Sequence, residues 1–591
     1  MSIVNKIFSE KIDANVNDFY AKQNMWKLSA KVVIPTLLLT LLFGIYIFID
    51  QLLMIYLIPK MGIDYYQKYF DSLNVPILNQ MDVIVNKLRS DNIQQSSWGF
   101  TLFNNQNFIS YAASLIGIFN LIVISFGYLI STGASVLYSR AYAKKDHYQR
   151  DKVYQTSFYS TIIFSLFATV LMIFIQQPIL SAIIPVGEKY NYVFPNSEVQ
   201  NSLSSIPDAQ QTITSYVKYY YSGSIKQTGN YLYFLNSTII FMCLSNLFSF
   251  FLRSEGKNIW ITFIAIFANM FNIVLDVILI YSKLGVIGSG IATFIGFMMN
   301  CFGLIIYIII LQKKSATNVN FVVLKQFRIN FKILIISISL GSGTFLREIS
   351  LAVANVVYLT VLYSTFNAIT NGPIALGILT KLVATPLYNL LFFAIFGIVD
   401  GMRPILSYNY ANKEYNRVKK AYWIGTLYGI IYSLMVNVLI FSSLASDTVL
   451  NFFAPVQDGE KNQATKMLIV LLMSMMFQMP FISLSVGGLS LFQSTGKNFM
   501  NFLLSLMQGS ITFYPVIYSM SAIAKHFDSY FLMMFTGFLN IALSSLIIFF
   551  STIIYIYQYM GKKEKNNDPA ASLNKQIKKL EDILKVNKNK I

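Results

Sequence analysis

The chain has 591 residues, of which 55% are hydrophobic and only 12% are charged. Soluble domains carry about 25% charged residues, so this composition predicts a polytopic membrane protein and excludes an ordinary soluble domain. The formal net charge of +19 does not indicate nucleic-acid binding, because the basic residues lie between apolar stretches, where they determine membrane topology.

The N-terminal segment, residues 1–31, is polar and has no signal-peptide pattern. After it, apolar segments long enough to cross a bilayer, about 20 residues each, recur along the chain. The sequence predicts about twelve such spans, roughly at residues 32–58, 110–139, 157–184, 231–252, 259–281, 286–311, 333–362, 374–399, 421–445, 467–492, 499–523 and 530–558.

The distribution of charge predicts the orientation. If the N-terminus lies inside, most of the 45 Lys and Arg residues fall in cytoplasmic segments, so the positive-inside rule predicts that both termini are cytoplasmic. Two long polar segments, about 60–109 and 185–230, then lie outside. They form either a small cap over the exit or padding, and the tolerance of loops for insertions favours padding.

An internal repeat is visible. The residues at 142–146 match those at 410–414, and the residues at 254–258 match those at 494–498. In each half the two motifs follow the second and the fourth span. Equivalent motifs are therefore six spans apart, which indicates parallel repeats related by an axis along the membrane normal.

The repeat predicts an all-α polytopic membrane fold with about twelve transmembrane helices in two six-helix lobes. The N-lobe comprises residues 32–311 and the C-lobe residues 333–558, and a cytoplasmic linker, residues 312–332, joins them. Two facing bundles imply a central cleft.

The tail, residues 559–591, is basic and has a pattern of its own. Four apolar residues fall on one helical face among lysines: Leu573, Ile577, Leu580 and Leu584. This predicts an amphipathic helix on the anionic inner leaflet. A partner-binding helix is the alternative.

The apolar stretch 271–280 contains an aspartate, Asp276, and one turn earlier an asparagine, Asn272. Residues four apart share one helix face. A carboxylate at membrane depth costs roughly 2.5 kcal/mol or more, so it usually faces a partner or a water-filled cavity. An amide beside a carboxylate can hold a proton or a sodium ion. The alternative is a buried Asp satisfied by a neighbouring helix.

Several motifs together carry a family resemblance. They are Tyr46 to Gln51, Ser139 to Ala141, Leu252 to Gly256, Asn272 to Asp276, Gly285 to Thr293, Phe345 to Glu348, Gly401 through Pro404 to Tyr410, and Gln493 to Gly496. In this order and spacing the chain resembles the multidrug and toxic compound extrusion (MATE) family, in the branch of its bacterial drug/cation antiporters. The resemblance covers residues 32–556, apart from the two long external segments.

The resemblance implies a two-lobed fold with a V-shaped opening and export coupled to inward flow of protons or sodium. The family's ion and substrate site in the N-lobe falls on Asp50, Asn272, Asp276 and Thr293. The residue types fit this role, because two neighbouring carboxylates cannot easily both be charged, and oxygen ligands suit a hard monovalent cation. For Asp50 the alternative is an interfacial anchor near the outer membrane face.

Further charges lie in the predicted C-lobe. Arg347, Glu348 and Lys381 predict an intramembrane charge network, and the alternative makes Glu348 a second proton or substrate site. Asp400 and Arg403 are interpreted as a structural or gating pair.

Other chemistry has little support in the sequence. Cys243 and Cys301 both lie in apolar segments, and His147 and His526 are far apart, so neither a disulfide framework nor a zinc or haem site is predicted. No nucleotide-binding loop or HExxH motif is present, so an enzyme is not predicted, and no cofactor is expected beyond the coupling ion.

The predicted function is therefore multidrug efflux: secondary active export of cationic or amphipathic small molecules by alternating access between two lobes. The predicted partners are organic cations, which aromatic rings bind, and membrane lipids. The protein is expected to be a monomer in the plasma membrane of a bacterium. The alternative is a flippase for a lipid or a lipid-linked saccharide. It predicts a strongly basic central cavity, whereas only Arg347 and Lys381 are clear cations within the predicted spans.

Overall fold

The computed structural model describes residues 12–73, 75–100, 102–183, 191–370, 394–444 and 461–562. Over these residues the chain is helical and contains no strand. In chain order, the helices of seven residues or more are α1 (Met25–Lys60), α2 (Tyr65–Asp71), α3 (Ile77–Ser90), α4 (Asn105–Ala143), α5 (His147–Ile183), α6 (Ser197–Leu203), α7 (Ala209–Ser237), α8 (Ile239–Ser254), α9 (Asn258–Tyr281), α10 (Gly285–Lys313), α11 (Phe331–Thr370), α12 (394–411), α13 (Tyr415–Leu444), α14 (Lys461–Thr495), α15 (Asn498–Leu506), α16 (Phe513–His526) and α17 (Tyr530–Met560).

The predicted all-α membrane fold class is confirmed. In the described part of the chain, nine helices are long and apolar enough to cross a membrane, or ten if α7 and α8, which meet at a 42° bend, form one span. The predicted eighth span, 374–399, is described only from residue 394. The predicted eleventh span is divided by a π-helical turn, Met507–Ile511, which separates α15 from α16. The count of twelve therefore stays a prediction.

Helix α9 has one exposed apolar face and one buried face that carries polar residues. Its exposed residues are large and apolar and recur every three or four positions: Trp260, Phe263, Phe267, Met270, Val274 and Ile278. The opposite face is buried and carries Ala268, Asn272 and Asp276. The apolar face suits lipid tails, so the two polar residues point into the protein.

The matched segments of the internal repeat make matching turns. Lys145 and Lys413 both have a positive φ, of 54° and 62°, and Gly256 and Gly496 have φ of 79° and 75°. In each of the first two turns the lysine N–H donates to the carbonyl oxygen three residues earlier. Similar sequence thus gives similar local backbone at these positions.

Helices from the two halves of the chain approach closely where glycines lie at the contact. A Cβ atom at Gly133 of α4 would lie 1.9 Å from the carbonyl oxygen of Ser337 in α11, and one at Gly341 of α11 would lie 1.9 Å from the carbonyl oxygen of Leu129. Only glycine allows this separation of the two backbones.

The N-terminal segment, residues 12–23, bridges the two halves at the end of the bundle that we call the basic face. This face contains residues 140–152, 253–257 and 412–420. On one side Tyr20 donates a hydrogen bond to the carbonyl oxygen of Arg253. On the other, Arg417 Nη2 donates to the carbonyl oxygens of Tyr20 and Gln23 at 2.9 and 3.0 Å. The segment therefore holds the two halves together at this face.

The two long insertions fold together at the opposite end. They contribute α2, α3, α6 and the first part of α7, and they bury a cluster of aromatic rings. Phe103 stacks on Tyr220 with ring centroids 3.6 Å apart. Tyr192 of the second insertion donates to the carbonyl oxygen of Trp98 in the first, at 2.5 Å. The two insertions therefore form one packed unit, and the choice between a cap and padding stays a prediction.

Candidate functional site

Asp50, on α1, accepts two hydrogen bonds inside the protein. Its carboxylate accepts from Ser289 Oγ at 2.6 Å and from the Tyr231 hydroxyl at 3.1 Å. Tyr231 also lies 2.9 Å from Thr293 Oγ1, which in turn accepts from Tyr46 at 3.3 Å. Asp50 is only 2% exposed, so it lies inside the protein within a network of hydroxyl groups.

Asp276 and Asn272, on α9, are buried beside this network. Neither oxygen of Asp276 and neither polar atom of the Asn272 amide has a hydrogen-bond partner within 3.5 Å. Asp276 still interacts at longer range with Asp50 and Ser289. Asp276 thus faces the Ser289 hydroxyl and the Asp50 carboxylate on neighbouring helices without a hydrogen bond of ordinary length.

The spacing along α10 accounts for this arrangement. Ser289, Thr293 and Gly296 are four and three residues apart and share one helix face. A Cβ atom at Gly296 would lie 2.9 Å from the Cβ and the Nδ2 of Asn272, so a glycine is needed there to admit the amide. The structure thus brings together all four residues of the predicted N-lobe set.

A cavity of about 90 Å³ lies next to Asn272 and Thr293. We call it the amide cavity, because four asparagines line it: Asn246, Asn269, Asn272 and Asn300. Its aromatic lining residues are Phe43, Tyr46, Tyr128, Phe250 and Phe297, and its charged ones are Arg253 and Asp400. At roughly 10–15 Å³ for one water molecule, the cavity has room for several waters or a small ligand group.

The predicted C-lobe network is present in part. Arg347 Nη2 lies 2.5 Å from Glu348 Oε1, and the guanidinium stacks on Phe396 at 3.9 Å from the ring centroid. Glu348 also lines a second cavity, of about 80 Å³, and its Oε2 has no hydrogen-bond partner. Lys381 lies outside the described residues. The Arg347–Glu348 pair is therefore observed, and a role of Glu348 as a second site stays a prediction.

Sequence reasoning missed Tyr231 and Ser289, which bind Asp50 directly. Ser289 carried a weak signal, because it lies one turn before Thr293 on the same helix face. Tyr231 carried none, since one tyrosine among 38 in the chain is not distinguished by its neighbours. The Asp400–Arg403 pair was anticipated, and its oxygen and nitrogen atoms are 3.0 Å apart.

Comparisons with known proteins point to one family. The MatE family profile matches residues 106–192 and 349–498. An uncharacterized protein of Mycoplasmoides gallisepticum is 24% identical over 97% of this chain and 96% of its own length. An uncharacterized protein of Mycoplasma genitalium is 26% identical over 95% of this chain and 97% of its own.

Solved structures share the fold. A MATE protein in its straight conformation superposes with a TM-score of 0.64 at 14% identity, covering 93% of this chain and 99% of that one. A MOP superfamily transporter from Pyrococcus furiosus, described as having a binding pocket of reversed polarity and a different function, gives a TM-score of 0.64 at 14% identity, over 92% and 98% of the two chains. An outward-facing multidrug resistance MATE family transporter gives 0.63 at 15% identity, over 92% and 98%.

Proposed function

We propose that this chain, which belongs to the MATE family of transporters, is an ion-coupled exporter of cationic or amphipathic small molecules. The basic face lies in the cytoplasm of a bacterium, and the bundle spans the plasma membrane. The observation that carries the proposal is the unpaired Asp276 beside the hydrogen-bonded Asp50.

The two carboxylates have different tasks in this proposal. Asp50 already accepts hydrogen bonds from Ser289 and Tyr231, which stabilise its charged form. Asp276 has no donor, and a buried unpaired carboxylate is costly in a membrane. A proton or a sodium ion bound at Asp276 removes that cost, so Asp276 is the group that loads and releases the coupling ion.

Ion binding is linked to substrate through Asn272 and Thr293. Both residues line the amide cavity and lie beside the carboxylates. A hard cation held by Asp50, Asp276, Asn272 and Thr293 would take all its ligands from oxygen atoms. It would also pull the Asn272 amide oxygen away from the cavity, so that ion and substrate compete for the same side chain and exchange across the membrane.

The test is efflux of a fluorescent organic cation from proteoliposomes, with a proton gradient or a sodium gradient imposed separately. We expect one of the two gradients to drive efflux, and the Asp276→Asn variant to lose it. If neither gradient moves the dye through folded, inserted protein, the exporter proposal is wrong.

A lipid flippase is the second candidate, and one observation favours it. From the sequence, only Arg347 and Lys381 were counted as cations within the spans. The structure changes that count, because Arg253 and Arg403 are also buried between the helices, 5% and 1% exposed, and Arg253 lines the amide cavity. An assay of labelled-lipid translocation in the same vesicles separates the two candidates.

A further inference from the structure

Positive charge is in excess at the end of the amide cavity nearest the basic face, which we call the cavity floor. Arg253, at the end of α8, and Asp400, on α12, line the cavity there. Asp400 lies 3.0 Å from Arg403 Nη2 through one oxygen and 3.9 Å from Arg253 Nη1 through the other. One carboxylate therefore serves two guanidinium groups.

The neighbouring charges do not correct this imbalance. Arg347 is near Arg403 but is matched by its own partner, Glu348. Among the described residues the cluster thus has three guanidinium groups and two carboxylates. Arg253 and Arg403 also share one ring, Phe250, with 5.1 Å between each guanidinium carbon and the ring centroid. The ring attracts each cation only weakly and does not neutralise their charge.

Guanidinium N–H groups at the floor lack acceptors. Arg253 Nη1, which is 3.9 Å from Asp400, and Arg403 Nη1 are buried and make no hydrogen bond, whereas Arg403 Nη2 is paired with Asp400 at 3.0 Å. Nε of Arg403 donates to Gln493 Oε1 at 2.9 Å. Buried guanidinium donors without acceptors are costly, and those of Arg253 lie in the wall of a cavity. Arg253 Nη1 can therefore donate to an acceptor that enters the cavity.

We propose that Arg253 forms an anion subsite at the floor of the amide cavity, and that the substrate is an amphipathic molecule with a phosphate or carboxylate group. The inference rests on the proposed function, because it uses the same cavity. The anionic group binds Arg253 at the floor. The rest of the polar head extends along α9 past the asparagines toward Asp276. Guanidinium suits this task because it donates two parallel hydrogen bonds to phosphate or carboxylate.

The experiment compares two ligands of which one has a phosphodiester linker between the alkyl chain and the ammonium and the other has none. Octylphosphocholine and octyltrimethylammonium share the alkyl chain and the quaternary ammonium, but only the first has a phosphate. Binding of each is measured by calorimetry on the full chain in nanodiscs, below the concentration at which either ligand forms micelles. Inorganic phosphate is added as a competitor in a further arm.

We expect Arg253→Gln to weaken binding of octylphosphocholine about tenfold or more, because a charge-assisted hydrogen bond is lost. Binding of octyltrimethylammonium should be unchanged or tighter. Arg253→Lys should restore part of the difference. Arg328→Gln removes an exposed cation of the predicted linker between the lobes and should leave both affinities unchanged. If inorganic phosphate alone competes, a free anion is a sufficient ligand. If it does not compete, the subsite requires the whole amphiphile.

Two results would overturn the subsite: no binding of octylphosphocholine to the wild type, or equal effects of Arg253→Gln on both ligands. In the second case Arg253 stabilises the packing of the helices around it and does not bind the anionic group. Reaction of the buried thiols of Cys243 and Cys301 with a fluorogenic reagent during heating checks that each variant is folded. The proposed function fails separately, when no gradient drives dye efflux, and an Arg253-dependent preference for octylphosphocholine would survive that failure.

Discussion

The sharpest test of the site compares the same substitution at its two carboxylates. Asp50→Asn and Asp276→Asn each remove one negative charge with almost no change of shape. Asp50 accepts hydrogen bonds from Ser289 and Tyr231, whereas Asp276 accepts none. Asp50→Asn should therefore lower stability and Asp276→Asn should not, although both should abolish coupled transport.

The magnitudes follow from the hydrogen bonds. A bond to a charged group contributes about 1.5–3 kcal/mol and a neutral one about 0.5–1.5 kcal/mol. Asp50→Asn turns two charged bonds into neutral ones and should lower the free energy of unfolding by about 2 kcal/mol. Asp276→Asn removes a carboxyl group that accepts no hydrogen bond and is costly to bury in its charged form, so stability should be unchanged or higher.

Both quantities can be measured on the same preparations. Thermal unfolding is followed by the reaction of Cys243 and Cys301, both buried, with a fluorogenic thiol reagent. Gradient-driven dye efflux from proteoliposomes is followed in parallel. If Asp276→Asn lowers the unfolding temperature as much as Asp50→Asn does, then Asp276 has a structural partner. If it retains gradient-driven efflux, it does not carry the coupling ion, and in either case the reasoning about the site fails.

Three further outcomes are expected away from the carboxylates. Arg417→Gln removes two hydrogen bonds to the N-terminal segment. An impermeant thiol reagent added at the basic face should therefore label a cysteine placed at Ser494 several-fold faster. An unchanged labelling rate would show that the segment does not hold the two halves together. Gly341→Leu adds a side chain where only glycine fits and should reduce transport at least tenfold, whereas Gly561→Ala, with open space around it, should not. A hydrogen bond from Ser202 and one from Lys87 lower the pKa of Asp91 below 3.8 in the insertions. This stabilisation is present above pH 3.8 and is lost as the pH falls through the lowered pKa, so limited proteolysis of the insertions should accelerate only in acid, and Asp91→Asn should remove that dependence.

Part of the candidate site could be predicted because its residues stand out against their surroundings. An aspartate in an apolar helix is rare, and the spacing of Asn272 and Asp276 places both on one face without any tertiary information. Asp50 was recognised for the same reason. The direction of these side chains into the bundle also followed, since the opposite face of α9 is large and apolar and suits lipid.

The difference in hydrogen bonding between the two carboxylates could not be predicted. Whether an acid accepts hydrogen bonds depends on hydroxyl groups that other helices bring to it, and Tyr231 is 181 residues away from Asp50 along the chain. The same limit applies to the insertions. Their polar composition resembles that of ordinary loops, and their aromatic residues form a core only when residues such as Trp98 and Tyr192, far apart in sequence, come together.

The burial of two arginines also could not be predicted from the sequence. Arg253 and Arg403 lie near the ends of predicted spans, where the sequence assigns Arg to the cytoplasmic surface and to topology. Tertiary packing closes the basic face around them and leaves them buried at the floor of a cavity. Composition, hydrophobic length and charge distribution by themselves determined an all-α membrane protein and the positions of its intramembrane acids, because each of these depends on local residue content and the cost of charge in lipid. Only the tertiary structure decided which charges are paired and which face a cavity, because that depends on distances between helices that the sequence does not encode locally.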